Sequence, residues 1–415
     1  MKFRKSPVVL ILAVVLSSPA FGQVFPQDYV SRIWTATDGL PGNTITDLIQ
    51  STDGYMYFGT YDGLVKFDGM NFTILNKNTL PGFNCVSSRV VFEDSKNNLW
   101  IGSNDEGVVR ICGKDFIIYN TETDSIFKIS TENGLPNNSV RDIVEDKNGN
   151  IWIGTTSGVV YVTPQDDVIT PSGLLIENDD NCLVTCMYCD TAGRIWLATS
   201  KEGGLYYYAS GKFTRYSLID SLGKQRVSAI AQDKGGNLVF GISEHGAVIE
   251  KNNSLQYIDT EGFISDKTVN TIYRDSTNTL WFGTEKGVYL LRDGKFISYN
   301  SDDGLTSNTV THILEDREGN YWFATDHGGV EKMSVGKFHT QYLPYTVNTI
   351  AQGFENTVWI GSDGGLYKSV NDSIVFSPLT KLTEGIRIRH VCFANNGDLL
   401  VSCYSKLGQL RISRD

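Results

Sequence analysis

Several groups of side chains in this sequence have the types and spacing that chemistry would need. Residues 182–189 read CLVTCMYC. Three thiolates at that spacing, Cys182, Cys186 and Cys189, could hold three irons of a four-iron cluster, provided they sat on a loop. Gly241-Ile-Ser-Glu-His-Gly246 places a serine two residues from a histidine. It lacks the GxSxG order and the following helix that present a nucleophile. Asp146, Asp190, Asp233, Asp275 and Asp316 each open a turn and invite a calcium reading, but the closing glutamate of an EF-hand loop is missing. The five histidines are scattered without a zinc-like pair, and there is no phosphate-binding glycine loop. The sequence therefore assigns no catalytic residue, no metal ligand and no cofactor.

What positions these residues is a repeat. Short aromatic strands recur as MYFGT (56–60), LWIGS (99–103), IWIGT (151–155), IWLAT (195–199), LVFGI (238–242), LWFGT (280–284), YWFAT (321–325), VWIGS (358–362) and LLVSC (399–403). Their second residues are Tyr57, Trp100, Trp152, Trp196, Val239, Trp281, Trp322, Trp359 and Leu400, spaced 37 to 52 residues apart. Nine units of that length fit the period of a propeller blade. Each unit reads as four strands. In residues 133–163, VRDIVE alternates apolar and polar, DKNGN is a hairpin turn, IWIGT follows, then TSG turns into VVYVT. Tight corners call for glycine. The tryptophan offers an apolar plate to the neighbouring blade, contributing on the order of 2–3 kcal/mol. On this frame CLVTCMYCDTAGRIWLAT superposes on NSVRDIVEDKNGNIWIGT. Cys186 and Cys189 then lie on a strand, in the places of Asp142 and Glu145, which disfavours a cluster.

The composite GLPxN, Dxx-G-N-hWhGT, GL resembles the two-component regulator propeller repeat, from about residue 28 to 410. It is clearest around Tyr57, Trp152, Trp281 and Trp322 and weaker around Val239 and Leu400. The resemblance implies the periplasmic sensor region of histidine kinases or related membrane receptors, with seven-bladed propellers often in tandem. The expected fold is all-β: a seven-bladed ring of four-stranded blades over 23–343, then two blades of a second propeller over 344–415. One ring of eight or nine blades is the alternative. Residues 29–36, YVSRIWTA, read as an outer strand that closes the ring by pairing near Gly336–Tyr342, or by standing in for that strand.

Composition narrows the function. The chain has 415 residues and a formal net charge of −11, which disfavours nucleic acid and anionic membrane surfaces as partners. MKFRK, then PVVLILAVVL, then SSPAFG has the layout of a secretory signal peptide over residues 1–22. Its apolar core is too short to span a bilayer, and no other stretch approaches that length. A periplasmic or extracellular location follows. The seven cysteines are sparse and read mostly as small core residues.

In a four-stranded blade, the turns after the aromatic strand share one face with the GLPxN segments. There the residues change from unit to unit: Tyr61, Asp62, Asn104, Glu106, Lys201, Glu244, His245, Glu285, Asp326 and His327. Variable loops on a rigid scaffold are where recognition sits, so this face is the candidate binding site for a small-molecule or glycan ligand. The expected function is ligand sensing, not catalysis, with self-association as a receptor dimer. A secreted lyase or glycan-active enzyme and a protein-interaction scaffold are the alternatives.

Overall fold

A computed structural model describes residues 29–413 except 77, 80–82, 84, 85, 113–125, 173–182, 201–203, 224, 260, 261, 293, 336–342, 355, 356, 371, 372, 405 and 406. The chain divides into two compact units, Met1–Val335 and Gly336–Asp415.

Among its described residues, the first unit holds seven four-stranded antiparallel sheets. Their inner strands are Ile45–Gln50, Ser88–Glu93, Val140–Glu145, Val184–Cys189, Val227–Gln232, Val269–Arg274 and Val310–Glu315. Each neighbours the next, and the seventh neighbours the first. The expected all-β propeller is the fold observed. Among the described residues of this unit, helix is confined to short turns such as Ala36–Asp38, Thr131–Asn133 and Ser217–Leu222.

The aspartates read as turn caps do more than cap. In blade three, Asp146 Oδ1 accepts the backbone N–H of Asn148 and of Asn150, while Oδ2 accepts the Asn150 side chain and the Trp152 indole Nε1–H at 3.0 Å. The indoles of Trp100, Trp196, Trp281 and Trp322 donate in the same way to Asp94, Asp190, Asp275 and Asp316, each at 2.8 Å. The spacing of Asp, Asn and Trp is thus set by one carboxylate that ties a hairpin to its plate. Each plate is buried against the next blade, as expected: Trp152 packs with Val184, Met187 and Leu197, and Trp281 with Ile313 and Phe323.

The glycine of IWIGT needs a different explanation from the corner glycines. Gly149 sits in the turn at φ +78, where a Cβ is strained. Gly154 lies within a strand, and a Cβ there would come 2.7 Å from Val184 Cγ1 of the next blade. It is small because two blades touch. The asparagine of GLPxN has its own task. Asn43 and Asn138 accept the backbone N–H of Ala36 and Thr131, seven residues earlier, at 2.7 and 2.8 Å.

Ring closure uses the N-terminal strand. Tyr29–Trp34 pairs antiparallel with Val330–Val335 as the outer strand of blade seven. It stands in for the outer strand, as expected; Gly336–Tyr342, the other expected partner, lies outside the described residues. Trp34 stacks on Trp322 with centroids 5.4 Å apart and meets Phe67 of blade one edge-on at 5.1 Å. Glu331, fully buried, accepts hydrogen bonds from Ser31 Oγ and Tyr299 Oη at 2.6 Å each and from the Thr306 N–H at 3.0 Å.

The second unit holds a four-stranded sheet, Val347–Gln352, Thr357–Ser362, Gly365–Val370 and Ser373–Val375, and a three-stranded sheet, Ile388–Phe393, Leu399–Cys403 and Gln409–Ile412. A short helix, Pro378–Leu382, joins them, capped by Ser377 Oγ accepting the Thr380 N–H. Among the described residues no helix is long and apolar enough to cross a membrane.

Candidate functional site

Every inner strand of the ring carries a register shift at its second residue. A β-bulge re-aims side chains, so the second and third residues both reach the central channel. The second residues are Thr46, Arg89, Arg141, Thr185, Ser228, Asn270 and Thr311, and all but Arg89 and Arg141 are short polar groups. Those five bond across the seam to the first residue of the next inner strand. Thr46 Oγ1 donates to Ser88 O, Thr185 Oγ1 to Val227 O and Thr311 Oγ1 to Ile45 O, each at 2.7 Å. Ser228 Oγ reaches Val269 O at 2.6 Å and Asn270 Nδ2 reaches Val310 O at 3.0 Å. The hydroxyls and amides that polarise the channel are therefore part of what closes the ring.

The opposite end is sealed by the last residue of each inner strand. Glu93, Glu145, Gln232 and Glu315 accept the backbone N–H of Thr52, Ser95, Thr191 and Ser276 on the preceding blade, at 2.7–2.8 Å. Gln50 accepts that of Arg317 at 2.8 Å and completes the circle. Cys189 occupies the same place in blade four, as the repeat frame expected, with the thiol near the Asp190 carbonyl. Cys186 lines the channel, and burial pushes its thiol up. Cys182 lies outside the described residues. Among the described residues no three metal-ligating side chains gather.

The channel encloses about 510 Å³ and is lined by residues from all seven inner strands. At its mouth stand Thr44, Tyr61, Thr309 and Asp326. Deeper are Asp47, Asp142 and His312 from third positions. Asp47 accepts the N–H of Leu48 and of Val91 at 2.8 Å each, with His312 Nδ1 at 3.0 Å. Burial pushes the Asp47 carboxyl up, against the pull of His312. Asp142 accepts the N–H of Ile143 and of Met187, and burial raises its pKa to about 7.

The ten residues expected on the variable face are not all equivalent. Tyr61 and Asp326 line the channel mouth. Asp326 accepts from Thr44 Oγ1 at 2.9 Å and lies 2.8 Å from His327 Nδ1, whose ring is exposed. Asp62 is exposed beside them. Asn104, Glu106 and Glu285 are engaged in the scaffold: Asn104 donates to Ser87, Glu106 pairs with Lys128, and Glu285 accepts the Thr268 N–H. Glu244 is an exposed turn residue at φ 62, and the ring of His245 bonds back to Ser243 O, so GISEHG is a hairpin tip. Lys201 lies outside the described residues. Sequence reasoning missed Arg89, Arg141, Asp47, Asp142 and His312. The signal was available: aligned inner strands show arginine twice where the others carry Thr, Ser or Asn.

Known proteins share this architecture. Residues 39–62, 134–157, 179–201, 262–286 and 304–327 match the family described as Two component regulator propeller. Histidine kinase P4 of Formosa agariphila is 28% identical over 276 residues, covering 61% of this chain and 19% of that protein. The extracellular domain of a hybrid two component system from B. thetaiotaomicron superposes with a TM-score of 0.62 at 19% identity, over 93% of this chain and 53% of that one. Virginiamycin B lyase from Staphylococcus aureus shares the fold at a TM-score of 0.56 and 14% identity, over 74% of this chain and 98% of the lyase. The chain thus spans about a fifth of the kinase and half of that extracellular domain. Five of its repeats match the two component regulator propeller model, one in each of blades one, three, four, six and seven.

Proposed function

We propose that residues 29–335 are the ligand-recognising ring of the extracytoplasmic region of a two-component-type membrane receptor. The observation that carries this reading is the channel mouth. A cavity of about 510 Å³ opens among polar side chains that differ from blade to blade, on a scaffold whose other positions repeat. Concave sites with a few convergent polar groups are the usual ligand sites. The family and the extracellular domains that share the fold support the receptor role. In this reading residues 1–22 export the chain, residues 344–415 begin a second propeller, and receptors associate as dimers. Catalysis belongs to the receptor's output module. The ligand is a small hydroxyl-rich molecule such as a glycan.

The test places Tyr61→Ala and Asp326→Ala in a full-length receptor and measures reporter output over a panel of glycans. Output should fall for both, while Lys147→Ala and Lys234→Ala on the opposite face leave it unchanged. The reverse pattern would show the wrong face, or a receptor that reads something other than this ring.

A further inference from the structure

Arg89 and Arg141 occupy the bulged position where five other blades place a hydroxyl or amide. Both line the channel, and among the described residues neither guanidinium has a hydrogen-bond or ion-pair partner. Arg141 Nε is buried and unbonded. Leaving such a donor unsatisfied is unfavourable. Burial holds the Arg141 guanidinium below its usual range; Arg89 and then Arg226 push the same way, and only Tyr61 opposes them. Arg226 is the exposed residue just before the inner strand of blade five. Three cations are thus gathered at one opening of a chain whose formal net charge is −11.

The carboxylates of the channel do not neutralise them. In Asp47 and in Asp142 one oxygen accepts the N–H of the following residue and the other an N–H across the seam, and no carboxylate is among the charges acting on Arg141. Asp326 is held by Thr44 and His327. The raised pKa of Asp142 also lightens the negative charge behind the arginines.

We infer that Arg89 and Arg141, with Arg226 at the rim, receive the anionic group of a small ligand entering the channel, a carboxylate or a sulfate. A planar guanidinium matches either oxyanion with paired N–H donors. Bound there, the anion satisfies the buried donor and relieves the repulsion among the cations. Tyr61, at the same mouth, faces the remainder of the ligand. The inference deepens the ligand-sensing proposal and rests on it for biological meaning, but the binding itself is separable from it.

The experiment uses the full chain, with D-glucuronate, D-glucose and inorganic sulfate as probes and sodium chloride at matched ionic strength as control. Calorimetry should show glucuronate binding at least about tenfold more tightly than glucose. Sulfate should raise Tm saturably, separating a general oxyanion site from one that prefers a carboxylate on a sugar. The variants Arg141→Gln and Arg89→Gln should each weaken glucuronate at least about tenfold. They should keep a native circular dichroism spectrum and a ligand-free Tm no lower than the parent's. Equal binding of glucose and glucuronate, absence of binding by either anion, or unchanged affinity in folded arginine variants would each overturn the inference. Loss of receptor response in Tyr61→Ala without anion binding would sink this inference and keep the sensing role. Anion binding with a receptor indifferent to Tyr61 and Asp326 would do the opposite.

Discussion

The smallest repeated device in this molecule is one aspartate holding one tryptophan. Asp275 accepts the Thr277 and Thr279 N–H groups, the Trp281 indole and the Tyr321 hydroxyl, the last from the next blade. Asp275→Ala would strand two buried side-chain donors and should destabilise the chain by about 2–4 kcal/mol in urea unfolding. Asp233 in blade five caps the same turn but has Val239 where five other blades have Trp. Asp233→Ala should therefore cost about 1 kcal/mol. Equal costs would show that the turn, not the plate, is what the carboxylate secures. The pH dependence has two opposite arms. Burial pushes the Asp190, Asp275 and Asp316 carboxyls up, but the hydrogen bonds from tryptophan and the turn more than offset it and bring them below the ordinary value. Their stabilisation is present above about pH 4 and is lost as pH falls further. Burial raises Asp142, so its contribution is complete below about pH 4 and disappears as pH rises through about 7. Asp142→Asn should flatten the loss of Tm between pH 4 and 8 and leave the acid limb unchanged.

At the scale of the element, the strand order of each blade was legible because turn residues and alternating apolar residues recur in phase. The bulge was not. Position two of an inner strand carries Thr, Arg, Ser or Asn, and nothing in the alternation of VRDIVE says that Arg141 and Asp142 both turn to the channel. That follows from the close approach of seven inner strands, a property of the ring and not of any one blade. For the same reason sequence alone cannot see that, of the residues expected on the variable face, Tyr61 and Asp326 line the channel mouth while Glu106 and Glu285 are engaged by Lys128 and Thr268. The N-terminal strand was legible as an outer strand, and its anchor is visible only in three dimensions. Trp34 is 6% exposed and fills the space between Trp322 and Phe67. Trp34→Ala should cost about 3–5 kcal/mol, and deletion of residues 29–36 should lower Tm further by also opening the sheet edge and leaving Glu331 without Ser31. A deletion variant as stable as the parent would mean that the ring closes without this strand.

At the scale of the molecule, the two units differ in how completely they cover their apolar residues. In the first, the plates of every blade are buried against a following blade, because the seventh inner strand meets the first. Among its described residues the second unit has two sheets and one seam between them, where Leu366, Ile388, Val391 and Val401 are buried. On the far side of that seam, Val347 and Ile350 remain exposed, Ile350 at 68%. In the ring, the residues aligned with Val347 and Ile350 are Val310 and Ile313, and both are fully buried. A blade with a covered face on one side only loses roughly half of the burial that stabilises it. We propose that residues 344–415 are the opening blades of a second propeller and hold their fold weakly in this chain. Limited proteolysis should then remove them first and leave a resistant fragment ending near residue 335, with the Tm of the parent's main transition. If the resistant core retains residue 410, the two sheets are stabilised to the same degree as the ring, and the second-propeller reading falls.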